Sequence, residues 1–244
     1  MKENRYDDKE FFEKYSQMER SKNGLEGAGE WYQLKELLPN FKGKRVLDLG
    51  CGFGWHCIYA AENGAKFVEG VDISKKMLAR AKEQTKFTNI KYRCIPLEDI
   101  EYESNSFDIV ISSLTLHYIE NFEEIVKKIY GLLIEGGKFI FSVEHPIFTA
   151  QGKQDWYYNK NGEILHWPVD SYYFEGRREA IFLGEKIVKY HRTMTTYIET
   201  LLKNGFKINH LIEAQPSLEM LEKFPEIMEN ELRRPMILLI SVEK

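Results

Sequence analysis

The chain has 244 residues, with 34 Lys+Arg against 38 Asp+Glu (formal charge −4, pI near 6.0), 43% hydrophobic and 30% charged, the balance of a soluble globular chain whose single core needs no staples. No stretch approaches the ~18 apolar residues of a membrane span, and the opening MKENRYDDKEFFEKY has no apolar signal region. Cys51, Cys57 and Cys94, without CxxC spacing, suit neither a disulfide framework nor a zinc site, so the expectation is a reduced, cytoplasmic protein without metal, and its mildly acidic total disfavours broad binding to a phosphate backbone.

Residues 1–43 read as a helical cover. Phe11, Phe12, Tyr15 and Met18 recur at helical spacing, as do Trp31, Leu34, Leu37 and Leu38 before Pro39 breaks the pattern. From residue 44 to 244 strands and helices alternate. Arg45–Gly50 reads as a short buried strand. A helix Trp55–Asn63 follows, with Trp55, Ile58 and Tyr59 on one face and Gly64 past its end. After a second strand, Phe67–Asp72, Ser74 caps a helix running to about Lys86 with Met77, Leu78 and Ala81 inward. Strands Ile90–Pro96 and Phe107–Ser113 come next. Asn121, with Glu124 three residues on, opens the clearest helix, carrying Phe122, Ile125, Val126, Ile129, Leu132 and Leu133 at a 3.6 period. Gly136–Gly137 should end it and release a fifth strand, Lys138–Glu144. A later helix at about Thr193–Asn204 precedes strands at about Phe206–Ala214 and Met236–Glu243, with Pro216 and Pro225 in the segment between.

This alternation predicts an α/β fold, a doubly wound Rossmann-like sheet covered on both faces. The exception is an insertion, 146–192, which is rich in aromatic residues and has no helical period. Placed after the fifth strand, it lies as a cap above the carboxyl ends of the strands, where doubly wound sheets bind ligands.

Val46–Gly54 (VLDLGCGFG) is a strand feeding a glycine-rich turn and then a helix. Gly50 permits the turn, Gly52 lets a ligand approach the backbone, and Gly54 lets the helix start close to the sheet. A dinucleotide turn would need Gly or Ala where Trp55 stands, so Trp55 argues against a pyrophosphate and against a nicotinamide oxidoreductase. Asp48 adds negative charge that repels phosphate and attracts an amine or sulfonium. Asp72, closing the second strand, can accept both ribose hydroxyls. Glu98-Asp99 follow the third strand, within reach of an adenine amino edge. Together these acids describe a nucleoside carrying a cation.

The string VLDLGCGFG…GVDIS…LEDI…SFDIVISSLTLHYI…GGKFIFSV resembles the class I S-adenosylmethionine-dependent methyltransferases in order and spacing, strongly over residues 44–143. The blocks YSQMERS, FSVEHPIFTA, QDWY, LHWPVD, KYHRT and LRRPMILLIS are similar to a bacterial group of small methyltransferases. The resemblance implies a seven-stranded sheet with the last strand antiparallel. It also implies S-adenosylmethionine as cofactor. The glycine turn (Gly50, Cys51, Gly52, Gly54) with Asp48 would hold the methionine part, Asp72 the ribose and Asp99 the adenine. Ile73, Met77, Glu98 and Ser113 would complete the site, with Tyr15 and Arg20 reaching back from the cover.

His117 and His145 follow strands four and five and are the candidate catalytic bases. In the insertion, Trp156, Tyr157, His166, Trp167 and His191 are the candidate acceptor-binding residues. The activity expected is methyl transfer to an oxygen, nitrogen or carbon of a small molecule. A nucleic-acid (tRNA) methyltransferase is the nearest alternative, but Ser112-Ser113-Leu114-Thr115 is not the Pro-Pro-aromatic motif of amino methylation, and no Pro-Cys serves attack on cytosine. A non-catalytic S-adenosylmethionine-binding protein is the third reading. Oligomeric state is not legible in the sequence.

Overall fold

The computed structural model describes residues 4–244. Helices α1 (Lys9–Ser16), α2 (Glu19–Lys22) and α3 (Trp31–Leu37) precede the sheet. The expected alternation then follows as β1 (Arg45–Leu49), α4 (Trp55–Glu62), β2 (Phe67–Asp72), α5 (Lys75–Gln84), β3 (Ile90–Cys94), β4 (Phe107–Ser113), α6 (Phe122–Leu132) and β5 (Leu133–Glu144). After β5 come α7 (Pro146–Thr149) and two hairpins, β6 (Tyr157–Tyr158) with β7 (Ile164–His166) and β8 (Gly176–Phe182) with β9 (Glu185–His191). The elements α8 (Met194–Lys203), β10 (Lys207–Ala214), α9 (Leu218–Lys223), α10 (Pro225–Glu231) and β11 (Ile237–Glu243) finish the chain. Among the described residues no helix is long and apolar enough to cross a membrane.

Seven strands form one sheet in the order β10-β11-β5-β4-β1-β2-β3. Strands β1 to β5 are mutually parallel, and β11 runs antiparallel to both of its neighbours, β10 and β5. Chain order reverses between β1 and β4, which places the ligand crevice at their carboxyl ends. The period of two sorts the core. Leu47, Leu49, Val110, Phe139, Phe141 and Leu238 face one side, under α6 and α8. Val46, Ile109, Ile111, Ile140, Ile237 and Leu239 face the other, under α3, α4 and α5.

Two local readings are corrected. In α4 the fully buried face is Cys57, Ala60 and Ala61, with Trp55, Ile58 and Tyr59 half-buried beside it. Small residues there let the helix sit close to β1 and β2. Strand β5 also begins before the glycines: Leu133 already pairs with Phe107, the ladder then skips to Ile109–Lys138, and Gly136 at φ +71° lies in the bulge between. The Asn121 cap is as expected, its side chain accepting from the Glu124 backbone N–H at 3.2 Å.

The segment before β1 is fastened at two points. The Asp7 carboxylate accepts from the Ser74 hydroxyl (2.7 Å) and the Lys76 N–H (3.0 Å), adding a second cap to α5. Phe11, 1% exposed, packs with Ala180 and Ile187 of the β8–β9 hairpin. The hairpin is not part of the main sheet, so this apolar contact ties the N-terminal segment to the insertion. Phe11→Ala is expected to cost about 3–5 kcal/mol of that docking. Limited proteolysis should then cut residues 4–30 faster while far-ultraviolet circular dichroism stays that of the parent; unchanged cleavage would refute the contact's role.

Candidate active site

The glycine turn is built by packing from below and openness above. Gly50 sits at φ +75° with its N–H donated to the Val71 carbonyl at 2.8 Å. A Cβ there would lie 2.2 Å from the Thr115 hydroxyl. Gly52, at φ +52°, has nothing within 4 Å of where its Cβ would stand, so the backbone is open to a ligand. Gly54 instead lies against the Tyr92 hydroxyl, away from that space.

Asp72 accepts from the Gly52 N–H at 2.9 Å and from the Ser74 N–H at 2.8 Å. Its burial pushes the carboxyl up to about 6 in spite of these backbone donors. Asp48 lies beneath the turn, 1% exposed, with one oxygen accepting from the Cys57 thiol at 3.3 Å. The other has no partner among the described residues, and burial pushes this carboxyl up to about 7.

A cavity of about 380 Å³ opens at the strand-order reversal. One half takes in nine of the expected cofactor residues: Tyr15, Arg20, Gly50, Gly52, Asp72, Ile73, Met77, Glu98 and Ser113 all line it. Arg20 is held there by the buried Glu30, which accepts at 2.8 and 3.1 Å. Asp48, Gly54 and Asp99 do not line it, and Cys51 lines a smaller adjoining cavity of about 80 Å³. Sequence reasoning missed Tyr6, Leu97 and Thr115 on this wall. Leu97 carried a usable signal, because it opens the turn that follows the third strand, beside the Glu98-Asp99 pair.

The other half is framed by Glu144 at the end of β5, Lys189 and Tyr190 of β9, Gln154, Phe148, and His117 with Tyr118 after β4. Lys189 donates to Glu144 Oε1 and, at 2.8 Å, to Gln154 Oε1, while Gln154 donates to Glu144 Oε2 at 2.7 Å. Burial alone would raise the Glu144 carboxyl, but the His117 ring, the Lys189 ammonium and the Gln154 amide hold it below the ordinary range. His117 Nδ1 accepts the Glu144 backbone N–H at 3.3 Å. Burial lowers this imidazole to about 4, so at neutral pH it is uncharged with its proton on Nε2.

The structure does not bring the remaining expected residues to this cavity. His145 is spent on architecture: Nδ1 accepts from the Ile147 N–H at 3.1 Å, capping α7, and Nε2 lies 2.9 Å from Glu213 Oε1. His191 is buried between the Thr149 hydroxyl and the Tyr172 carbonyl, each at 2.8 Å. Trp167 stacks on the back of Phe148 at 5.0 Å and meets Trp156 edge-on at 5.2 Å, with the Arg234 guanidinium 4.5 Å over its ring. Tyr157 and His166 stack on each other on the exposed β6–β7 hairpin. Phe148, Trp156 and Trp167 therefore pack as a small satellite core behind the cavity wall, whereas Tyr157, Tyr158, Tyr173 and Phe174 stand exposed.

The first half suits a nucleoside with a cationic centre: a backbone cradle at Gly52 that a Cβ would fill, a half-buried carboxylate with lone pairs to spare at Asp72, and the apolar Met77 and Leu97 for a flat base. The comparisons agree. Residues 47–141 match the model of a family described as a methyltransferase domain. An uncharacterized protein of Haemophilus influenzae is 34% identical over 98% of this chain and 96% of its own. A crystal structure of an S-adenosylmethionine-dependent methyltransferase from Mesorhizobium loti is 42% identical with a TM-score of 0.84, covering 91% of this chain and all of that one. One from Listeria monocytogenes, assigned to the same activity, is 56% identical with a TM-score of 0.82 over 88% of this chain and 98% of that one. The turn, the half-buried acid closing β2 and these full-length likenesses have one explanation: the chain belongs to the class I S-adenosylmethionine-dependent methyltransferases, with S-adenosylmethionine as its cofactor.

Proposed function

We propose that the enzyme methylates a small molecule seated in the inner half of the cavity, and that it works by alignment without a general base. The observation that carries this reading is the two-part cavity, walled on one side by the N-terminal residues Tyr6 and Tyr15 and on the other by Phe182 and Ile187 of the β8–β9 hairpin. The same reading places the enzyme in the cytoplasm, which three unbridged cysteines support.

Bound S-adenosylmethionine supplies a methyl group on a sulfonium, and because charge is lost on transfer, positioning provides most of the acceleration. Asp72 would hold the ribose hydroxyls, Gly50 and Gly52 the methionine part, and Ile73, Met77, Leu97 and Glu98 the adenine. On the acceptor side Glu144 is committed to Lys189 and Gln154, and His117 has given its Nδ1 lone pair to the backbone. What His117 offers the acceptor is the Nε2–H, a donor that orients an oxygen. His145, which the sequence favours as a base, is engaged elsewhere.

Incubation with methyl-labelled cofactor and a cell metabolite extract should place label in the low-molecular-mass fraction; label found only in RNA or protein would overturn the small-molecule reading. The raised Asp72 carboxyl sets a pH dependence. Hydroxyl donors are held by the carboxylate form, so binding is weak below the Asp72 value of about 6, strengthens as the pH rises through it, and levels off above. Buried Asp48, raised to about 7, adds negative charge in the same direction. Calorimetric titrations from pH 5 to 8 should trace this rise, and Asp72→Asn should weaken binding by about 2–4 kcal/mol and flatten the profile. Once an acceptor is in hand, His117→Ala should lower turnover by about 10–100-fold with cofactor affinity kept. His145→Ala should change mainly the melting temperature, and the parent's rate should lack a histidine inflection between pH 6 and 7; a clear inflection there that His145→Ala abolished would restore His145 as a base.

A further inference from the structure

Two phenol hydroxyls meet where the two halves of the cavity join. Tyr6 comes from the N-terminal segment and Tyr118 from the turn after β4, 112 residues away in the chain, and their oxygens lie 3.4 Å apart. Both residues line the cavity. The Tyr6 ring meets Tyr15 of the cofactor half edge-on at 5.2 Å, whereas the Tyr118 ring lies 4.4 Å from His117 of the inner half. The hydroxyl pair therefore bridges the halves, where a group passing from one to the other must cross.

Both rings are held from elsewhere in the fold. Tyr6 precedes Asp7, whose carboxylate is fastened to the Ser74 hydroxyl and the Lys76 N–H, and its ring also meets Phe11 at 5.1 Å. Tyr118 donates its backbone N–H to the Thr115 carbonyl at 2.9 Å. The hydroxyls are thereby placed before a ligand arrives. At 3.4 Å they stand further apart than a closed O–H···O bond, and each has the other as its hydrogen-bond partner among the described residues. A phenol has one hydrogen and two lone pairs, so even with one hydrogen shared the pair keeps three lone pairs against one hydrogen. Burial pushes both phenols above the ordinary range, which leaves neutral oxygens that accept without acting as bases.

We propose that the Tyr6 and Tyr118 hydroxyls hold the methyl group in transit, their oxygens accepting the polarised C–H bonds of the carbon attached to the sulfonium. This rests on the reading of the cavity as a cofactor half and an acceptor half. As the acceptor's lone pair forms the new bond to that carbon, the carbon–sulfur electron pair returns to sulfur, and the hydroxyls neither gain nor lose a proton. Contacts of the C–H···O kind are individually weak, but beside a full positive charge they are charge-assisted. Two fixed oxygens restrict where the carbon can lie, and alignment is what this reaction needs.

The probes are S-adenosylhomocysteine, which lacks the methyl group, and sinefungin, which carries an amine in its place and presents N–H donors to the same oxygens. Each is titrated calorimetrically into the full-length protein at neutral pH. The parent should bind sinefungin at least ~10-fold more tightly than S-adenosylhomocysteine. Tyr6→Phe and Tyr118→Phe keep the rings and remove only the oxygens. Each should lower that preference by about 3–10-fold, with S-adenosylhomocysteine affinity kept within about 2-fold. A purely structural role would weaken both probes alike and leave the ratio unchanged. No preference for sinefungin in the parent, or an unchanged ratio in either variant, overturns the proposal. A variant that no longer binds S-adenosylhomocysteine leaves the decision to the other; if neither binds it, the two residues serve folding and the proposal falls. If the parent binds S-adenosylhomocysteine and the ratios fail, only this inference is lost; if the parent does not bind it, the methyltransferase reading falls and takes this inference with it.

Discussion

The half-buried carboxylate of Asp72 is the point on which the glycine turn and its surroundings depend. One oxygen fixes the glycine turn through the Gly52 N–H and the other fixes the start of α5 through the Ser74 N–H. Ser74 in turn donates to Asp7, so the chain of bonds runs on into the N-terminal segment. Three separate pieces of backbone are thereby registered against one side chain. The arrangement keeps a charge away from water, and the raised carboxyl records that cost.

The two halves of the cavity are made by different means. The alternation of strands and helices places Asp72 at the end of β2 and Gly52 and Leu97 in the turns just after β1 and β3, whose parallel pairing brings these turns side by side. No such ladder fixes the inner half. The β8–β9 hairpin pairs only with itself, and what docks it is the Lys189–Glu144 ion pair on one side and the Phe11 cluster on the other. A buried ion pair contributes little net stability after desolvation, yet it tolerates few geometries. Here that selectivity sets the shape of the inner wall of the cavity.

Burial also decides what the histidines do. His117, His145 and His191 are all 2% exposed or less, and in His117 and His145 the Nδ1 lone pair is taken by a backbone N–H, which holds the ring in one tautomer. Desolvation lowers all three. A neutral imidazole with one committed nitrogen is a directional donor and a poor base, which accords with a reaction needing alignment more than proton transfer.

What the sequence by itself determined was the part governed by local rules. Alternating strand and helix patterns marked the sheet and its covering helices, caps at Ser74 and Asn121 marked helix starts, and the glycine turn with Asp72 marked the cofactor family, because each of these is settled by near neighbours along the chain. The tertiary structure alone decided the inner wall of the cavity. Glu144 and His145 are adjacent and both polar, but strand geometry turns one into the cavity and leaves the other to cap α7. Lys189 reads as a surface lysine until its counter-charge, 45 residues away, is brought to it. Asp48 faces the interior and not the ligand for a similar reason: its partner, Cys57, arrives only when α4 folds back on β1. Such assignments depend on contacts between segments that share no ladder and no helix, and no spacing rule connects them.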